Sequence, residues 1–341
     1  MIKHFPCYYI PTPIELQKLF DDSYFIFDTN VLLDIYRLGP DHSNKVLKLI
    51  QYYSDKIKVP YHVAEEYHDN LVPTLVNHIE KLKKAIAQLD FDKFSAIVSN
   101  YLKDNLPNTT INEFTNRLKP NLKRFQRTLH VQKDFLNNEL SECALQRRLS
   151  ELLSPLLLKP FTEAEITAIE TDGLTRYQAA IPPGYKDAQK SSNQYGDLII
   201  WKEILKFAKE NNTSVIFISR DVKEDWFYEI HGRKLGPRIE LLKEFHMNLP
   251  SKSFYIYTMD AFIRYANEHM EGDKLFSEQE MDSVIDMLSE VHKTNNQLYK
   301  NEYPVVPVAK STITDSIEIK AKKVEDVKMS TSGQVSKVKT E

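Results

Sequence analysis

The chain has 341 residues, 42% of them hydrophobic and 27% charged, enough to bury a proper core in one large domain or two smaller ones. Its net charge of -3 excludes a global basic field, so any contact with nucleic acid must rest on a local patch. Two cysteines, Cys7 and Cys143, exclude a disulfide framework, and no secretory or membrane-spanning apolar run is present; a cytoplasmic protein is expected, helix-rich because only 8 glycines occur.

Residues 1–22 form a lead-in with a helix near Ile14–Phe20. Tyr24-Phe25-Ile26-Phe27 is a short run of apolar and aromatic residues and predicts a buried strand. Val31, Leu32, Ile35 and Leu38 then carry helical spacing as far as about Arg37, before Gly39-Pro40. A helix near Ser43–Tyr53 follows, Ile57-Lys58-Val59-Pro60 predicts a second strand, and His62–Tyr67 begins a helix at once. From about residue 75 to 180 the pattern is that of an α-helical insertion, with Ile79, Leu82, Ile86 and Leu89 leading and Leu118, Leu122, Phe125 and Leu129 continuing. Within it, Thr162-x-x-Glu165 is a capping box for one more helix. A loop over Ile181–Lys190 precedes a helix at Leu198–Glu210, and Val215–Ile218 and Phe254–Tyr257 predict the third and fourth strands. This alternation predicts an α/β fold with a central parallel sheet of about four to five strands flanked by helices. That domain is expected to span 1–265, with a helical extension over 266–303. Residues 304–341 lack leucine and aromatics and are expected to be a disordered tail, in which Ile313, Ile317 and Ile319 are the only candidates for a short strand.

The carboxylates fall at telling places. Asp28 follows strand one, Glu65 and Glu66 follow strand two, and Asp221 follows strand three, so a parallel sheet brings all three positions to its carboxyl edge. Asp197 opens the helix before strand three and can join them. Clustered carboxylates repel, and a hard, oxygen-seeking divalent cation such as Mg²⁺ relieves the repulsion. The chemistry this suggests is metal-assisted attack of water on a phosphodiester. Cations for the phosphates are at hand in Lys186, Lys190, Arg220, Lys223, Arg233, Lys234 and Arg238. Half of the glycines (Gly184, Gly196, Gly232 and Gly236) fall in the same region, where close backbone approach is useful. Each piece has a plainer reading. Asp28, Asp197 and Asp221 are good helix caps; adjacent Glu65 and Glu66 cannot share a face, so one is solvated; Asp225 either extends the cluster or is solvated. His62, His68 and His231 read as surface or packing residues, and Trp201 and Trp226 as core anchors. Arg117–Lys133 holds Arg117, Lys119, Lys123, Arg124, Arg127 and Lys133 without an acid, either a solvated helix face or a phosphate-tracking surface over the active edge.

Taken together, Phe27-Asp28-Thr29-Asn30-Val31-Leu32-Leu33 and Val59-Pro60-x-x-Val63-Ala64-Glu65-Glu66-Tyr67 resemble the PIN-domain nucleases. Pro182–Asp187, Tyr195-Gly196-Asp197-Leu198, Phe217-Ile218-Ser219-Arg220-Asp221 through Trp226, and Gly236-Pro237-Arg238 narrow the resemblance, over about 24–265, to the bacterial PIN-like group with a large helical insertion. The resemblance implies a Mg²⁺- or Mn²⁺-dependent nuclease acting on RNA or single-stranded DNA. Its implied metal ligands are Asp28, Glu66 (the acid before a large apolar residue), Asp197 and Asp221, with Asp225 as a fifth carboxylate. Lys186, Lys190, Arg220, Lys223 and Arg238 are the expected nucleic-acid contacts, and a regulatory protein or a second copy is left open as a further partner. Two other classes compete. A phosphatase of the haloacid-dehalogenase type wants Asp-x-Asp after strand one, where this chain has Asp28-Thr29-Asn30. A catalytically silent binding module would not need the full acidic set.

Overall fold

A computed structural model describes residues 1–89, 91–102, 106–220, 223–231 and 233–295. Asp221 and the expected tail at 304–341, with Ile313, Ile317 and Ile319, lie outside the described residues.

The lead-in carries α1 (Pro13–Asp22), started by a capping box in which Thr12 and Glu15 satisfy each other's backbone N–H groups. β1 (Ser23–Phe27) is buried along almost its whole length, as its apolar composition requires, and α2 (Thr29–Asp34) begins one residue later. Gly39-Pro40 does not stop a helix but starts one. The end of α2 tightens into a 3₁₀ turn at Ile35–Arg37, and α3 (Gly39–Tyr52) uses the proline in its first turn, where the missing N–H goes unnoticed. β2 (Ile57–Lys58) leads directly into α4 (Tyr61–Gln88). α4 does not break at residue 75. It runs through the expected boundary on one seam of buried residues, Val63, Tyr67, Leu71, Leu75, Ile79 and Leu82, with Pro73 inside it.

The insertion continues with α5 (Phe91–Leu102), α6 (Asn108–Glu142) and α7 (Ala144–Leu153). The chain then returns to where it left. Val59 donates its N–H to Leu156 O at 3.1 Å, and Leu158 donates to Val59 O at 2.8 Å, a one-residue parallel bridge on the far side of β2. α8 (Glu163–Gln178) starts with the predicted Thr162–Glu165 capping box. α9 (Gly196–Asn211) and β3 (Ser214–Ile218) follow. Next comes an antiparallel pair that the sequence did not predict, β4 (Phe227–Ile230) and β5 (Arg233–Pro237). α10 (Ile239–Asn248), β6 (Phe254–Tyr257), α11 (Met259–His269) and α12 (Glu278–Asn295) complete the described chain. α12 is docked rather than free: Met281, Val284 and Leu288 are buried, and Asn267 of α11 exchanges two hydrogen bonds with the backbone of Phe276.

The main sheet is four-stranded and wholly parallel, in the order β2-β1-β3-β6, with Ile26 level with Lys58 on one side and Phe217 on the other. Helices flank it, and Phe25, Ile26, Phe27, Val215, Ile216, Phe217 and Ile218 are fully buried between them. The chain moves from β1 outward to β2, then returns to β1's other side for β3. The gap between the carboxyl ends of β1 and β3 is thus the topological switch point, where open α/β sheets place their ligands.

Candidate functional site

Asp28 is the first residue past β1 and only 7% exposed. Its Oδ1 accepts the N–H of Thr29 at 2.7 Å, so it caps α2, and its Oδ2 accepts hydrogen bonds from Asn30 Nδ2 at 2.6 Å and from the Ser219 hydroxyl. Asn30 also accepts the backbone N–H of Arg220 at 2.7 Å through Oδ1. This side chain therefore ties the end of β1 to the end of β3 and orients Asp28 in the process.

Glu66 arrives from the second turn of α4. Thr29 donates its hydroxyl to Glu66 Oε2 at 2.5 Å, and Asn193 Nδ2 donates to Oε1 at 2.5 Å. Its side chain is 19% exposed against 57% for Glu65, and His62 lies against both, with Nε2 3.6 Å from Glu66 and Nδ1 3.4 Å from Glu65. Room for Glu66 comes from Gly196, because a Cβ there would stand 2.8 Å from Oε1 and 2.7 Å from the Asn193 amide. Asp197, the second residue of α9, accepts from Lys223 Nζ at 3.3 Å. Lys223 also donates to Asp187 at 2.9 Å, which in turn takes Lys190 at 2.6 Å. Burial pushes the Asp187 carboxyl up, but the hydrogen bonds from Lys190 and Lys223 outweigh it and hold the group below its ordinary value. Gly184, with φ of 89°, lets its loop approach Asp197 and Tyr177 in a conformation a side chain would strain.

The two carboxylate-bearing helices are clamped together. Glu203, two turns into α9, accepts the N–H groups of Tyr61 at 3.2 Å and His62 at 3.3 Å. It supplies the cap that Pro60 cannot give to α4. Burial pushes its pKa up to about 8, against the pull of those two N–H groups. Below the cleft, Asp34 is fully buried with Arg220 at 2.6 Å and Arg37 at 3.2 Å, and burial still pushes it up to about 6.

Asp28, Glu65, Glu66 and Asp197 all line one cleft of about 1100 Å³, together with Lys190 and Lys223. Three residues assigned no role or a packing role by sequence, His62, His68 and Asp69, line it too. Asp225 is fully buried, and its Oδ2 accepts the backbone N–H groups of Gly184 and Lys186, so it holds the 184–186 loop that passes beside Asp197. The remaining expected phosphate contacts do not line the cleft. Arg220 pairs with Asp34, Lys186 with Glu224, and Arg238 with Glu240 and the Glu224 carbonyl. Asn193, Ser219 and Asp187 were missed by sequence reasoning because their contacts join residues far apart in the chain; the only signal was their neighbourhood to Asp197 and Asp221.

The family model of the PIN-like domain matches residues 24–241. The chain belongs to the PIN-like domain family. PIN domains are generally nucleases and typically use divalent metal ions. No curated protein and no solved structure matches the chain. The acidic, all-oxygen donor set of Asp28, Glu66 and Asp197 suits a hard divalent cation by its chemistry. Among the described residues, however, no three His, Cys, Asp or Glu side chains converge closely enough to hold one. Among the same residues no helix of this PIN-like domain is long and apolar enough to cross a membrane.

Proposed function

We propose that this PIN-like protein is a metal-dependent endonuclease that hydrolyses phosphodiester bonds in RNA or single-stranded DNA. The observation that carries the reading is that Asp28, Glu66 and Asp197 line one cleft at the switch point of a PIN-like sheet, although as they stand they are too far apart to close on an ion without a further ligand. These three, with Asp221 following β3 in the sequence, would hold Mg²⁺ or Mn²⁺. A bound ion of this kind activates water and stabilises the leaving oxygen.

The chain's own residues prepare the rest. Thr29, Asn30 and Ser219 fix the Asp28 carboxylate with three donors, which holds it in one orientation. Thr29 and Asn193 do the same for Glu66. Lys190 and Lys223 put two positive charges on a cleft wall that also carries five acidic residues. Asn30 argues against the phosphatase reading, since the position where that chemistry needs a second acid holds a structural amide tied to both strand ends.

The test is cleavage of labelled RNA and single-stranded DNA with Mg²⁺ or Mn²⁺, comparing the wild type with Asp28→Asn. The variant keeps a good helix cap and the wild-type fold by circular dichroism, and loses at least about a hundredfold in rate. Equal rates at matched purity would remove Asp28 from the site and the nuclease reading with it.

A further inference from the structure

The basic stretch of the insertion does not lie over the cleft. α6 runs back along α4, and Gln126 in the middle of the stretch donates to the carbonyl of Leu89, the residue that ends α4. Glu66 sits at the other end of α4. At ~1.5 Å per residue the rise between them is roughly 30 Å. α4 and α6 thus form an arm with the candidate site at its foot; the middle of the basic stretch lies at the far end of α4, while its last turn, where Gln132 donates to Tyr36 O at 2.9 Å, rests on the body of the domain.

Their arrangement on α6 is ordered. Ile111, Thr115, Leu118, Leu122, Gln126 and Leu129 form the inward stripe, buried or half-buried. Lys119, Lys123, Arg127 and His130 form an exposed stripe beside it, and Arg117 and Arg124 add a second row. No acid occurs between Glu113 and Asp134, and Arg117, Lys123, Arg124 and Arg127 make no ion pair among the described residues. An ordinary solvated helix face mixes the two signs; this one does not. Two aromatic rings share the outer surface, Phe114 at 49% and Phe125 at 53% exposure. Cations with exposed rings beside them match a polymer of phosphates and stackable bases, which is single-stranded nucleic acid rather than duplex. A membrane surface fits poorly, because the apolar stripe of α6 is turned inward.

We propose that the outer face of α6 is a second, distal binding surface for single-stranded nucleic acid. It gives the protein a preference for strands long enough to reach from the arm to the cleft. At ~3.4 Å per stacked nucleotide, roughly 30 Å corresponds to about nine nucleotides. The assignment of the strand's other end to the cleft rests on the nuclease reading; binding to the arm does not.

The experiment is fluorescence anisotropy with fluorescein-labelled oligouridine and oligothymidine of about 6 and about 30 nucleotides, using the full chain in EDTA so that nothing turns over. The wild type should bind the long strand at least about tenfold more tightly than the short one. K123E/R124E/R127E should erase that advantage and lower the slope of log affinity against log salt by about 2, since each phosphate contact on a single strand contributes ~0.7. Phe125→Ala, which keeps every charge, should weaken long-strand binding about five- to tenfold. Should the charge-reversed protein fold poorly, K123Q/R124Q/R127Q gives the same comparison with a milder change. Long-strand affinity and salt slope at wild-type values in a folded variant would overturn the proposal, as would equal affinity of the wild type for both lengths. Absence of metal-dependent cleavage alongside length-dependent binding would instead sink the nuclease reading and leave the arm standing.

Discussion

At the scale of single residues, the candidate site depends on small groups placed to hold larger ones. Asn30 is the clearest example, since one amide serves both Asp28 and the backbone beyond β3. Asn30→Ala should therefore lower stability by about 1–3 kcal/mol, read by urea denaturation, because buried Asp28 and the half-buried Arg220 backbone lose their hydrogen bonds together. Gly196 makes the opposite kind of prediction. Gly196 opens α9 with no positive φ to forbid a side chain, and the atoms a Cβ there would meet are the ends of the Glu66 and Asn193 side chains. Gly196→Ala should leave the melting temperature unchanged or slightly raised while lowering metal-dependent cleavage at least about tenfold. A fall in both together would mean that Gly196 serves the fold and not the position of Glu66.

At the scale of elements, the contact between α9 and α4 has a consequence for pH. Glu203 sits between them with its pKa pushed from 4.5 up to about 8 by burial. The folded state thus keeps a proton that the unfolded chain releases above about pH 4.5. Its contribution to stability is full below that pH and is lost as pH rises toward 8, by an amount on the order of 2–4 kcal/mol. Glu203→Gln, which keeps the shape and one of the two acceptor oxygens, should flatten the dependence of unfolding free energy on pH between about 5 and 8. An unaltered pH profile would show that Glu203 is ionised in the folded protein. The antiparallel β4–β5 pair illustrates what a sequence conceals at this scale. Its strands are short and partly charged, and they have no apolar alternation to announce them; pairing between Phe227–Ile230 and Arg233–Pro237 creates them.

At the scale of the whole molecule, α4 belongs to the sheet at one end and to the insertion at the other. Leu75, in the middle of its buried seam, should cost about 2–5 kcal/mol when changed to alanine. Sheet and insertion should then unfold in one transition. The measurement compares tryptophan fluorescence, which reports on Trp201 and Trp226 beside β3 and β6, with helical circular dichroism. Helix loss at lower denaturant than the fluorescence change would separate the two. Much of this architecture was legible in the sequence because three of the four sheet strands, β1, β3 and β6, are carried by apolar and aromatic runs, which have few other uses. The position of Asp28 was legible for the same reason, since it ends the β1 run; Glu66 and Asp197 were legible because each sits in the opening turns of a helix next to a sheet strand. The extent of α4 was not, since a boundary drawn from composition falls where the insertion becomes polar and not where hydrogen bonding stops. Nor were the internal partners of Arg220, Lys186 and Arg238 visible, because a cation's nearest acid is decided by folding.

The bridge between Val59 and Leu157 bears on how such a protein can change over generations. Departure and return of the insertion are anchored at one strand residue, so the sheet does not register how far the chain travels in between. Whole turns added to or removed from the outer ends of α4 and α6 would move the arm's crown in steps of ~5.4 Å while leaving Glu66 and its partners untouched. Descendants of one ancestral chain could in this way be calibrated to different strand lengths, with the chemistry at the foot of the arm inherited unchanged.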